Sequence, residues 1–217
     1  MLDEEKRPLT EGGEAPDAEG QQTEQEKGNS AFEWLRCLVG VVLVLVLLFT
    51  FVAQTFTVQG PSMQNTLYGG DKLLVVKAEL CDIEVGDVVV ACQYNAQLSD
   101  PIVKRVVAVE GQTVDIDFDT GTVYVDGQPI EETYIAEPTY TSEGTQIPVT
   151  LQEGELFLMG DNRNHSTDSR SSMLGVVDER YVVGKAVFLL FPGKTASYLG
   201  ETSGTGSRDF SRIGWIK

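Results

Sequence analysis

The chain has 217 residues, 41% of them hydrophobic, and carries 33 acidic against 16 basic side chains, a formal charge of -17. That length accommodates one or two domains with a core of their own. The acidity argues against nucleic acid as a partner, because phosphate binding needs concentrated Lys and Arg, and it disfavours adhesion to anionic headgroups through a basic patch. Three cysteines, Cys37, Cys81 and Cys92, are too few and too scattered for a disulfide framework or a zinc site, so neither a metal nor a cofactor is expected. Cys81 and Cys92 are compatible with a bond or with free thiols.

Residues 1–30 hold nine acidic and three basic residues among Gly, Gln, Pro and Thr. Such a segment has too little apolar surface to offset the entropy of ordering, and a disordered tail is expected. From Ala31 the composition inverts. The 22 residues from Cys37 to Val58 are uncharged and mostly apolar, matching the roughly 20 helical residues that cross a bilayer, and they lack the polar stripe of a soluble core helix. A cleaved signal peptide would have a shorter apolar region and a clean small-x-small end. Residues 31–57 are therefore expected to be an uncleaved, single-pass anchor. Lys27 and Arg36 flank its N-terminal side and the first basic residue beyond it is Lys72, which puts the tail in the cytoplasm and residues 58–217 outside.

Beyond the anchor the pattern is of strands between turns. Candidate strands are 73–76, 88–92, 102–110, 113–118, 122–125, 147–151, 156–159 and 185–191, separated by Gly69-Gly70, Val85-Gly86-Asp87, Thr120-Gly121 and Asp126-Gly127. The expected fold is mainly β, an antiparallel sheet domain. Residues 112–152, rich in Thr, Asp and Glu, read as a β insertion, and the Gly/Ser/Thr-rich 192–212 as a mobile loop before the final IGWI.

Three stretches could carry chemistry. Ser62 lies in GPSMQNTLYGGD, where Gly60 and Pro61 restrict the backbone, although Gly, Pro and Ser are also ordinary turn residues. A serine nucleophile needs a base. The chain has one histidine, His165, so a Ser62, His165 and Asp168 triad is one arrangement. The other is a neutral lysine, which requires about 4 kcal/mol of destabilisation of the ammonium. Lys104 in PIVKRVVAV suits that role: alternation places it on one apolar face and Arg105 on the other, and burial would lower its pKa. A snorkelling lysine at a strand edge is the competing reading; Lys72 and Lys77 flank their strand and are weaker candidates. The third stretch, GDNRNHSTDSR at 160–170, reads as a loop stitched by its own polar groups.

Together, Ser62-Met63 with Thr66-Leu67 and Gly70-Asp71, then Lys104-Arg105, then Gly160-Asp161-Asn162-Arg163 with Ser166, Asp168, Ser169 and Arg170, resemble bacterial type I signal peptidase. The resemblance spans about Cys37 to Phe191. It implies a membrane-anchored Ser/Lys endopeptidase acting on exported preproteins after small-x-small sites. Ser62 would be nucleophile and Lys104 general base, with Ser166 orienting the Lys104 amine. Asp168 and Arg170 would form a supporting salt bridge, with Asp161 and Arg163 in the same network. The backbone N–H of Ser62 would hold the oxyanion. Some members carry a hydroxyl two residues before the nucleophile, where this chain has Gly60 as many Gram-positive-type members do; two positions depart from the common pattern, Asn65, commonly Pro, and Gln112, commonly Asp. Self-cleaving repressors also use Ser and Lys, but they need a DNA-binding domain where this chain has an acidic tail and an anchor. A non-catalytic anchored β domain that binds extracytoplasmic peptides is the reading from a different class.

Overall fold

The structure, a computed structural model, describes residues 18–92, 100–194 and 207–216, with side chains described from residue 32 onward. The chain divides into two compact units, Met1–Leu47 and Leu48–Lys217.

The first unit is described as helix α1, Ala18–Phe51, which runs on into the second. Its segment Phe32–Phe51 is 20 residues long, apolar enough to cross a membrane, and buries none of its residues against the protein. A helix apolar around its whole circumference finds its low-energy surroundings in lipid. Residues 18–30 are helical where the composition suggested disorder; Gln, Glu and Lys are good helix formers, and an adjoining helix supplies the nucleus that an isolated segment lacks. Residues 1–17 lie outside the described part.

In the second unit the apolar run does not stay helical to its end. Ala53–Thr57 is strand β1, in which exposed Thr55 and Thr57 alternate with half-buried Gln54 and Phe56, a period of two that suits a sheet and not a helix. It pairs antiparallel with β2, Lys72–Lys77. Then come β3 (Val88–Ala91), β4 (Ile102–Ala108), β5 (Thr113–Asp117), β6 (Thr122–Val125), β7 (Gln128–Pro129) and β8 (Val149–Thr150). The last four are β9 (Glu155–Met159), β10 (Val177–Asp178), β11 (Val182–Phe191) and β12 (Gly214–Trp215). All eight strands read from the sequence are present, with ends shifted by up to three residues; the short β7, β10 and β12, and β1, were not read.

Every pairing is antiparallel. The large sheet runs β1-β2-β11-β3-β4-β9-β10 with β12 on β11, and residues of the segment 112–152 make a second sheet, β7-β6-β5-β8. The β6–β7 hairpin turns at Asp126-Gly127, both at positive φ (52° and 75°), the backbone that a two-residue hairpin of matching twist requires. One apolar cluster, including Met63, Leu67, Leu73, Val75, Val90 and Val103, underlies the nucleophile turn. A second joins Val107, Phe157 and Met159 to the small sheet through Val114, Val123 and Leu151. Strand β4 belongs to both, and it carries Lys104. Cys81 and Cys92 are free thiols. Of the segment 192–212, Lys194 bridges to Arg208 and Phe210–Arg212 is a short 3-10 turn, while residues 195–206 lie outside the described part.

Candidate active site

The serine turn is held at its neck and from below. Val58 N–H donates to Asp71 O and Gly70 N–H to Val58 O, closing the loop between them. Gly60 takes φ +74°, a conformation a side chain rarely tolerates. Met63 and Leu67, both fully buried, plug the turn into the core and leave Ser62 half exposed above it. Fully buried Asp71 accepts N–H groups from Tyr68 and Gly193 and binds Arg212 through both oxygens. The final segment of the chain is thereby tied to the turn.

Lys104 sits in the middle of the sheet, opposite Val89 of β3, and is 4% exposed. Its Nζ donates to Ser62 Oγ at 2.8 Å and to Val103 O at 3.2 Å. Burial lowers its pKa from 10.5 to about 8, against the pull of Asp168, Asp161 and Glu143 and with help from Arg170. The carboxylates do not win because the two foremost are themselves neutralised: Asp168 by Arg170 and Asp161 by Arg105. Ser62 Oγ thus meets an amine that gives up its proton more readily than an ordinary lysine.

The loop after β9 is built on Asp168. Its carboxylate accepts the Gly160 N–H (2.9 Å), the Ser166 hydroxyl (2.8 Å), and Nε and Nη2 of Arg170 (both 2.8 Å). Arg170 also donates to Arg163 O and Thr141 O, and Ser169 Oγ accepts the Leu158 N–H. Gly160 is obligatory for a steric reason: a Cβ there would lie 2.4 Å from Ser62 O and 2.3 Å from Ser166 Oγ. Only a hydrogen lets the loop approach the nucleophile this closely.

The expected residues therefore come together, with two changes of partner. Asp161 does not pair with Arg163; it takes a two-point grip from Arg105 (Nε to Oδ1 2.9 Å, Nη2 to Oδ2 2.7 Å) and a hydrogen bond from Thr66 Oγ1. Arg163 instead forks onto Glu132 of the 112–152 segment and donates to Thr139 Oγ1 and Gly160 O. Ser166 Oγ gives its proton to Asp168, and the hydrogen bonds of the Lys104 amine go to Ser62 and Val103. His165 is exposed, and Asp168 is committed to Arg170, so the Ser62, His165 and Asp168 triad is not the arrangement present. Gln112 fills the place commonly held by Asp without losing its acceptor: its Oε1 takes the Val109 N–H at 3.0 Å. Sequence reasoning missed Glu132, the Arg105–Asp161 pair and the steric demand at Gly160. For Glu132 no local signal exists, since it is one acidic residue among several in its segment.

This fold and this clustering define a serine peptidase type of site, and the comparisons identify the family. Residues 31–191 match the family described as signal peptidase, peptidase S26, and the chain belongs to it; it is a peptidase of that family. A signal peptidase I of Bacillus licheniformis is 33% identical over 175 residues, covering 76% of this chain and 91% of the relative. A probable signal peptidase I-1 of Synechocystis is 38% identical over 173 residues, covering 76% and 84%. A crystal structure of a signal peptidase I from Enterococcus faecalis V583 aligns with a TM-score of 0.41 and 24% identity, over 48% of this chain and 97% of that one.

Proposed function

We propose that this chain is a membrane-anchored serine endopeptidase that removes N-terminal signal peptides from exported preproteins, cutting after small-x-small sites of the Ala-x-Ala kind through a Ser62 acyl-enzyme. The observation that carries the mechanism is the 2.8 Å hydrogen bond between Lys104 Nζ and Ser62 Oγ, made by an amine whose pKa burial has lowered to about 8. A base of that strength is available near physiological pH.

Neutral Lys104 takes the Ser62 proton as Oγ attacks the scissile carbonyl carbon. The resulting oxyanion is met by the Ser62 N–H. The Lys104 ammonium then gives its proton to the departing amine, leaving an ester on Ser62. Water, deprotonated by Lys104, attacks that ester and releases the signal peptide with a free carboxylate. Ser166 retains acceptor lone pairs beside its bond to Asp168, and a hydrogen bond donated to them by the ammonium would orient it during the reaction. The Asp168–Arg170, Asp161–Arg105 and Arg163–Glu132 pairs hold the supporting loop against β4 and the serine turn.

The substrate fits the same physics. An extended peptide laid along a sheet edge points alternate side chains the same way, so two shallow pockets can read two small residues separated by any third. Lys27 and Arg36 on the N-terminal flank of the apolar span support a cytoplasmic N-terminus and an extracytoplasmic peptidase domain. Only ten residues separate Phe51 from Ser62, which keeps the nucleophile near the bilayer, where the cleavage site of an inserted preprotein emerges.

The test is cleavage of an Ala-x-Ala preprotein by the full-length chain in detergent or vesicles. Ser62→Ala and Lys104→Ala should each reduce it to background, while His165→Ala should leave it intact. Substantial activity in either of the first two would sink the mechanism.

A further inference from the structure

One buried side chain beside Ser62 has no part in the chemistry above. Asn162 is 1% exposed. Its backbone N–H donates to Ser62 O at 3.0 Å, and its side-chain Nδ2 donates to Pro61 O at 3.2 Å. Its Oδ1 has no hydrogen-bond partner, alone in this among the buried side-chain nitrogen and oxygen atoms of the described residues. Turning the amide over would set Oδ1 against Pro61 O, lone pair against lone pair, so Pro61 dictates the orientation. A buried acceptor left unpaired is destabilising. Stability alone therefore does not account for asparagine here, and attention falls on what Nδ2 does.

Across a trans peptide the C=O and N–H point in opposite directions within one plane. The Pro61–Ser62 bond is trans. Whatever fixes Pro61 O therefore fixes the Ser62 N–H. Pro61 O is gripped twice, by Gln64 N–H at 3.0 Å from within the turn and by Asn162 from the loop after β9. A single grip leaves the plane able to rock about it; a second, from an element remote in sequence, defines the direction. The Asn162 N–H on Ser62 O sets the following peptide plane in the same way.

We propose that Asn162 is a positioning residue for the oxyanion donor: by holding Pro61 O it aims the Ser62 N–H at the point where the tetrahedral oxygen gathers charge. The proposal rests on the Ser62/Lys104 reading given above. Asn162 is buried, and the hydrogen bonds of the Lys104 amine go to Ser62 Oγ and Val103 O.

Asn162→Ala in the full-length chain, assayed in detergent micelles on an Ala-x-Ala preprotein beside Ser62→Ala, tests this. Loss of an oxyanion donor lowers kcat by roughly a hundredfold or more, and loss of its aim should lower it by roughly tenfold to a hundredfold. KM should stay within about twofold, since ground-state binding is untouched. The midpoint of the pH profile should not move, and Tm should hold or rise, because the unpaired Oδ1 leaves with the side chain. A peptide boronate, whose adduct on Ser62 carries the negative tetrahedral centre, should lose affinity in step with kcat while the cleaved product peptide keeps its own. Asn162→Leu, close in size but with no donor where Nδ2 stood, should behave alike and serves if the alanine variant does not fold. Unchanged kcat in a folded variant overturns the proposal. So does a loss of kcat matched by a rise in KM, a shifted midpoint or a fall in Tm, and so does failure of both variants to fold, which would make Asn162 structural. Activity in Ser62→Ala would instead remove the Ser/Lys reading itself, which keeps the two failures apart.

Discussion

Replacing Lys104 by Met removes a buried cation while keeping an unbranched side chain, and should make the protein more stable at neutral pH as it abolishes activity. The native lysine has a pKa of about 8 against 10.5 for the ordinary group, a difference of roughly 3 kcal/mol in the cost of the proton. Below about 8 both native and unfolded chains are protonated, and the native state carries that whole cost. Between about 8 and 10.5 the unfolded chain still binds the proton while the native chain does not, so raising the pH through this window stabilises native wild type. Methionine has no such dependence. It forfeits two hydrogen bonds, to Ser62 Oγ and Val103 O, worth about 1 kcal/mol each. The variant should therefore be about 1 kcal/mol more stable than wild type at pH 6 and about 2 kcal/mol less stable near pH 10.5. Urea unfolding of both full-length proteins in the same detergent across that range gives the difference directly, and other titrating groups cancel because the two share them. A stability difference independent of pH would refute the argument that Lys104 is desolvated.

The rate follows the same group. kcat/KM should rise tenfold per pH unit below a midpoint of about 8 and level off above it; a flat profile from pH 6 to 10 would exclude lysine as base. Gly160→Ala sets a Cβ 2.4 Å from Ser62 O, and since backbone must move, activity should fall at least about a hundredfold, measured on the same preprotein; near-normal turnover would mean that the loop and the serine turn do not approach as described. Asp161→Asn strips the Arg105 guanidinium of its carboxylate in a site where both side chains are at most 2% exposed. The cost should be about 3 kcal/mol or more in urea unfolding, and a change below about 0.5 kcal/mol, the size typical of surface substitutions, would contradict it.

The strands were legible because alternation is a property of contiguous residues. In PIVKRVVAV it placed a cation on each face, and the structure sends Lys104 to Ser62 and Arg105 to Asp161 and the Tyr134 ring. The same reading failed at Ala53–Thr57, where the absence of charge let AQTFT pass as the end of the span and hid a switch of period from helix to strand. An uncharged stretch of five residues is too short a pattern to separate the end of a helix from a strand until its partner, β2, is known.

The sequence by itself determined the class of the domain, the apolar span, and which three stretches are candidates for the proposed chemistry, since each depends on residue types at short spacing. What only the tertiary structure decided is which charge answers which. Arg105 and Asp161 are 56 residues apart, and Arg163 and Glu132 are 31 apart. They meet because β4 lies beside β9 and because the 112–152 segment delivers Glu132 to the loop. The proposed role of Lys104 turns on the same point: its pKa is lowered because neighbouring strands exclude water from its amine, and the nearest carboxylates are already claimed by arginines.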